Sequence, residues 1–455
     1  MGADVREELE SRIDRWRAYV LGKGTADRAS LEDTEAQLRD QASKLAAAGL
    51  DADEAFLVAI KRVSAHYPAS REFARTYSDE LWAQPVAAEG GRSSAREARV
   101  ELWIVLGLAV AAAAAIKVPT LFGYELSGDG ASFYGRNLSL FVLPFLAAYF
   151  AWKRQLRTVD TVVLAAVFVG GFIFANVYPF EPEGSTEILT AIHLPIALWL
   201  AAGVAYVGGE WRSDPKRMEY VRFTGEWFVN YTLIALGGGV LTAITIGVFG
   251  AIGVDAEPFM EEWVIPCGAM GAVLVAAWLV ENRRNLAGGM APMLARVFTP
   301  LFTLVLVALL AGVVLTGGFI DVEREVLILF DVLLVVVLAL LLYAISAREP
   351  RREPDFFDRI QLLLVVCALA VDVFALVSIA GRLSEYGFSA NKTAALGLNL
   401  ILLVNLAWSA VLLTGFLRSR RDFAAVERWQ MRYLPVYAIW ATIVVVVFPP
   451  LFGFA

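Results

Sequence analysis

Cysteine and histidine are nearly missing from these 455 residues, with two of each. The cysteines, Cys267 and Cys367, lie in apolar runs, where a thiol behaves as a small hydrophobe, so no disulfide framework is expected. Two histidines, His66 and His193, are too few for a bis-histidine haem or a typical zinc site. No HExxH, Walker or GxSxG element occurs, which leaves the common hydrolase and nucleotide-binding chemistries without a carrier. No cofactor and no metal site are therefore expected. Charge is scarce too, at 19% of residues with a formal net charge of −7. No Lys/Arg block forms a phosphate-binding stripe, and nucleic acid is not an expected partner.

What fills the chain instead is apolar: 58% of residues are hydrophobic and the mean hydropathy is +0.60. Many runs reach the roughly 20 residues that a helix needs to cross about 30 Å of hydrocarbon. The expected fold is all-α, a polytopic transmembrane helical bundle over residues 99–455 behind a small soluble helical domain. About eleven spans are expected, near 100–117, 137–152, 158–178, 187–208, 223–253, 263–281, 296–317, 325–347, 359–382, 393–417 and 433–452. Positive charge gathers in the stretches 153–157, 212–222, 283–296, 348–359 and 418–432, while the alternate loops hold only Lys117, Arg136, Arg324, Arg382 and Lys392. Lysine and arginine stay on the cytoplasmic side, so this alternation predicts a cytoplasmic N-terminus and an external C-terminus. Multi-pass insertion in a bacterial inner membrane, with the bilayer as partner, is the expected location.

Residues 1–85 read as short amphipathic helices, and 86–98, with Gly90-Gly91 and Ser93-Ser94, as a linker. Ser30 with Asp33 reads as a capping box, and Asp51 with Glu54 repeats the signal. No catalytic constellation is visible here, and His66, beside Tyr67-Pro68, reads as incidental. Residues 1–99 are polar and carry no signal-peptide pattern, so the run near residue 100 is expected to insert first.

Ionisable groups inside a bilayer cost several kcal/mol unless paired or hydrated. His193, Asp331 and Asp372 are the cases that need explaining. At 1.5 Å per residue each falls about 9–15 Å below the outer end of its span, and Asn176 and Asn399 lie at compatible depths. Two readings stay open for them. One is a hydrated outward-facing site, with Arg382 at its rim, for a proton, a cation or a polar solute. The other is a set of separate interhelical hydrogen bonds, with His193 donating to a carbonyl near Pro195. On the cytoplasmic side, Arg222 and Glu226 stand four residues apart beside Trp227, as a local pair or a gate. Gly237-Gly238-Gly239 interrupts a long span, as a close-packing surface or an unwound hinge. Arg428-Trp429 with Arg432 and Tyr433 reads as an interfacial anchor.

Two resemblances add to this. Residues 28–82, notably Ala48-Gly49-Leu50-Asp51, Asp53-Glu54-Ala55-Phe56 and Ser70-Arg71-Glu72-Phe73-Ala74, resemble the permease-prefix domains that precede bacterial membrane proteins. This implies a module that binds a cytoplasmic protein partner. His193-Leu194-Pro195, Arg222 to Trp227, Leu236 to Gly239, Asp372, and Arg382 through Glu385-Tyr386-Gly387 to Asn391-Lys392 resemble an uncharacterised bacterial integral-membrane family, a domain of unknown function. Lys392 stands where arginine is expected. That resemblance implies no activity. The expected function is permease-like, with a small-molecule or ion substrate. The rivals are a membrane sensor or scaffold acting through residues 1–85 and an intramembrane enzyme acting on a lipid-linked substrate.

Overall fold

The computed structural model describes residues 3–22, 28–47, 50, 52–63, 73, 74, 77, 90–126, 128–251, 255–283, 291–316, 324–348 and 352–455. All regular elements among them are helices. The chain divides into two compact units, Met1–Val100 and Glu101–Ala455.

The first unit is built on α1 (Ala3–Gly22), α2 (Arg28–Ala47) and α3 (Ala52–Val63). Leu9, Ile13, Trp16 and Val20 recur at three- and four-residue spacing on α1, and this stripe meets Leu31 and Leu38 of α2 and Phe56 and Ile60 of α3. Phe73, Ala74 and Tyr77 close the core. Polar residues fasten its edge: Arg12 grips Asp53 through Nε (2.6 Å) and Nη2 (2.9 Å), and the Tyr77 hydroxyl donates to the same carboxylate. The Arg12 pair holds the Asp53 carboxyl below its ordinary range, while burial and then the Asp53 bond push the Tyr77 phenol up to about 12. Helix α2 begins at Arg28, so Ser30 is inside it and not at its N-cap. His66 and Asp51 lie outside the described residues.

Helix α4 (Gly90–Lys117) replaces the expected linker over residues 90–98. Its glycines and serines are weak helix formers at about 0.5–1 kcal/mol each, but extending a long existing helix needs no new nucleus. There follow α5 (Ala131–Asn137), α6 (Leu143–Lys153), α7 (Thr158–Val177), α8 (Ser185–Tyr206), α9 (Asp214–Ala251), α10 (Ile265–Arg283), α11 (Ala291–Thr316), α12 (Arg324–Ala347), α13 (Phe356–Tyr386), α14 (Ala390–Leu417) and α15 (Ala424–Val446).

Nine helices among the described residues are long and apolar enough to cross a membrane, which makes this an all-helical, membrane-embedded chain. Two of the eleven expected spans are not among the nine. The apolar run at 137–152 is broken, because Val142 and Pro144 end a short 3-10 turn and leave only the 11-residue α6. The other is α15, where Glu427, Arg428, Gln430 and Arg432 dilute the hydropathy of the first turns.

The second unit has two principal apolar cores. One gathers Tyr149, Phe150, Leu198, Tyr206, Phe223 and Leu274 from α6, α8, α9 and α10. The other gathers Leu306, Leu334, Leu341, Leu364, Val371, Leu402 and Leu434 from α11 to α15. Helix α9 serves both, with Tyr220 and Phe223 on one side and Met218 and Val221 on the other.

Helix α13 is the best defined at its ends. Asp355 accepts from the Asp358 N–H (3.1 Å) and Asp358 returns the bond to the Asp355 N–H (2.9 Å), a capping box that fixes where the helix starts. Asp358 also holds Arg348, whose guanidinium lies over both the Phe416 and Phe423 rings. Gly387, at φ 72°, ends the helix in a conformation that a side chain would strain.

Candidate functional site

The second core contains three polar side chains that a purely structural core would not need. Asp331 on α12, Asp372 on α13 and Asn399 on α14 come from three helices that pack against one another. The Asn399 Nδ2 donates to Asp331 Oδ1 at 2.8 Å and to the Ala395 carbonyl at 2.9 Å. Asp372 enters the same apolar core, where its neighbour Val371 belongs to one cluster with Leu334 and Leu402. Asp372 and Asn399 have no exposed surface, and Asp331 is half-buried.

The hydrogen bonds stop short of satisfying this cluster. Both Asp372 carboxylate oxygens and the Asn399 Oδ1 are buried without a hydrogen-bond partner among the described residues. A buried polar group left unpaired costs about 1–3 kcal/mol, and more when charged. Around them stand Leu334, Val371 and Leu402, all buried and apolar. Neither aspartate forms an ion pair among the described residues. These three acceptors stand without a donor among the described residues.

The other expected site residues go elsewhere. His193, half-buried on α8, donates from Nδ1 to the Leu189 carbonyl at 2.8 Å. That acceptor is one turn back on its own helix; it is not Ala191, the carbonyl that Pro195 leaves free. Leu189 packs with Ala390, Ala394, Val444 and Phe448, in a core separate from the one around Asp372. No hydrogen bond or ion pair joins His193 to either aspartate among the described residues. Asn176 forms a reciprocal amide pair with Asn137, at 2.7 and 3.0 Å, which ties α7 to α5. It serves as interhelical glue. Arg382 is half-buried ten residues beyond Asp372, about 15 Å along the helix.

Of the gate and hinge residues, Arg222 donates through Nε (2.9 Å) and Nη2 to the Ser346 carbonyl of α12. Next to it, Gly225 sits so near the Tyr343 ring that any Cβ would collide with it. Both residues therefore clamp α9 onto α12, and Glu226 is half-buried in the same turn. Gly237, Gly238 and Gly239 are not an unwound hinge. Helix α9 runs unbroken for 38 residues through them, all three are exposed, and an added Cβ would meet nothing within 4 Å.

Sequence reasoning missed a second buried network. Asn405 donates to Gln430 Oε1 (3.1 Å) and to the Tyr437 hydroxyl (2.6 Å), and accepts from Trp429 Nε1 (2.7 Å). Gln430 donates to Ser409 Oγ (2.7 Å), which donates to the Asn405 carbonyl (2.6 Å). Trp429 is thus an interhelical donor, and Tyr433 likewise donates to the Ile401 carbonyl. Glu281 was missed as well. It is 6% exposed and takes Arg154 at 2.7 Å and Lys153 at 3.5 Å. A lone acid next to Val280 at the end of an apolar run was the available signal. Comparison of the chain with family models, with curated proteins and with solved structures finds no match.

Proposed function

We propose that this chain is a permease-type protein of a bacterial inner membrane that moves a small polar or charged solute through a site formed by Asp372, Asp331 and Asn399. The observation that carries this reading is Asp372, a carboxyl with no exposed surface and no partner for either oxygen. A stability-driven core would have replaced it with an apolar residue of similar volume. In the proposed arrangement the N-terminus is cytoplasmic, eleven segments cross the bilayer and the C-terminus is external, as the distribution of Lys and Arg favours. The segment 131–153 and α15 are then the two crossings with broken or diluted apolar character. The cluster falls in the outer half, where Asp331 is the more exposed of the two carboxyls and so the nearer to entry. The first unit, with a core of its own, suits a cytoplasmic module that binds a protein partner and regulates the bundle.

The test is electrical. Proteoliposomes on a solid-supported membrane are challenged with a panel of amino acids, sugars and small organic ions. Wild-type protein gives transient currents for at least one class, Asp372→Asn gives none while keeping its helical content, and His193→Gln keeps the current. Currents unchanged in Asp372→Asn, or a wild-type silent across the panel, overturn the reading. A sensor is the second reading, favoured by the separate core of the first unit. It predicts that deleting residues 1–85 abolishes a cellular phenotype that Asp372→Asn leaves intact.

A further inference from the structure

The unsatisfied atoms at the cluster also restrict what it can take. They are all oxygens and all acceptors: two from Asp372 and one from Asn399. The Asp331 carboxylate adds the oxygen that does not receive the Asn399 amide. No nitrogen or sulfur ligand belongs to the set, which excludes the donors that soft transition metals select. No group of three or more His, Cys, Asp or Glu side chains capable of holding a metal exists among the described residues. A divalent ion, which calls for a denser carboxylate shell or a retained water shell, is poorly served here. The walls are closed as well. Asp372, Asn399, Leu334 and Leu402 have no exposed surface and Val371 has 2%, so the occupant is small. A lone buried water can donate to two of the oxygens but brings no positive charge to a site that holds two carboxyls.

We propose that Asp372, Asn399 and Asp331 form a binding site for a single monovalent alkali cation, coordinated by up to four side-chain oxygens between α12, α13 and α14. The proposal deepens the permease reading and rests on it for its purpose, since an ion bound here offsets carboxylate charge and is the natural coupling partner of a solute. Asn399 then has two jobs on one amide: its nitrogen orients Asp331 and its oxygen faces the ion. Asp372 is the principal ligand and Asp331 the more exposed one, through which an ion enters.

Sodium alone is the probe. Binding of radioactive sodium to the purified full-length protein is measured by scintillation proximity, with choline chloride holding ionic strength constant. Saturable binding is expected, at least about tenfold weaker in Asp372→Asn and weakened to a smaller degree in Asp331→Asn, which is half-buried and the safer variant for folding. No saturable binding up to about 100 mM sodium, where a millimolar site is already filled, overturns the proposal. Equal binding in wild-type and both variants overturns it too. Solute currents that persist with choline in place of sodium then leave the permease reading standing alone. Sodium binding without solute current for any class supports the ion site and removes the permease.

Discussion

Asn399 and Asn405 stand less than two turns apart on α14, both with no exposed surface, and they meet opposite fates. Asn405 is fully engaged by Gln430, Tyr437 and Trp429, with Ser409 closing the ring of bonds. Asn399 spends its nitrogen on Asp331 and Ala395 and leaves its oxygen bare, and the Asp372 carboxyl has no hydrogen bond among the described residues. The first arrangement welds α14 to α15. The second leaves acceptors unsatisfied among α12, α13 and α14, where nothing in the core requires them. On the proposed reading, unequal satisfaction at equal burial is what separates the seam from the site.

Substitutions test that contrast. The largest effect is expected from Asn405→Leu, which strands Gln430, Trp429 and Tyr437 at once and costs about 2–3 kcal/mol. Unfolding in detergent followed by tryptophan fluorescence checks it, and a loss under about 0.5 kcal/mol would erase the distinction. Asp372→Leu should go the other way and stabilise by about 1–2 kcal/mol in the same assay, because it removes an unsatisfied buried carboxyl while keeping the branched heavy-atom skeleton. A destabilised Asp372→Leu would mean that the carboxyl is held by partners after all.

Acid gives a smaller and more local effect. Asp53 is depressed in the folded first unit by Arg12, so its contribution is fully present above its unfolded value of about 3.9. The contribution disappears as pH falls through the lower folded value. Hydrogen exchange on the full chain should therefore show α1 and α3 losing protection as pH drops below about 4, and Asp53→Asn should lower their protection at neutral pH and flatten that dependence. The smallest effect belongs to Gly238→Ala on the exposed stretch of α9. It should leave currents unchanged and raise stability by no more than about 1 kcal/mol, the helix-propensity difference. Loss of current there would restore a functional part for the glycines.

Some of this was legible early. Two carboxyls and an asparagine in three apolar runs announced themselves by chemistry, and counting residues put them at similar depth. His193 and Asn176 had the same depth and the same polarity, yet each is satisfied locally, one by its own helix and the other by Asn137. Depth is a one-dimensional property, read by counting along the chain. Which face of a helix a residue occupies, and which helix lies opposite, is not. The Asn405 network was hidden for the same reason, since Gln430 and Trp429 lie at the charged start of α15, between Arg428 and Arg432. The triple glycine misled in the other direction, because helix continuity depends on backbone hydrogen bonds that glycine can make as well as any residue.

By itself the sequence determined an all-helical, membrane-embedded chain with a separate helical front end, because apolar run length and amphipathic spacing are local quantities that the solvent enforces. Only the tertiary structure decided which buried polar groups share a neighbourhood and which of them find partners. Hydrogen bonds between helices join residues far apart in sequence, and no property of either residue alone fixes the pairing.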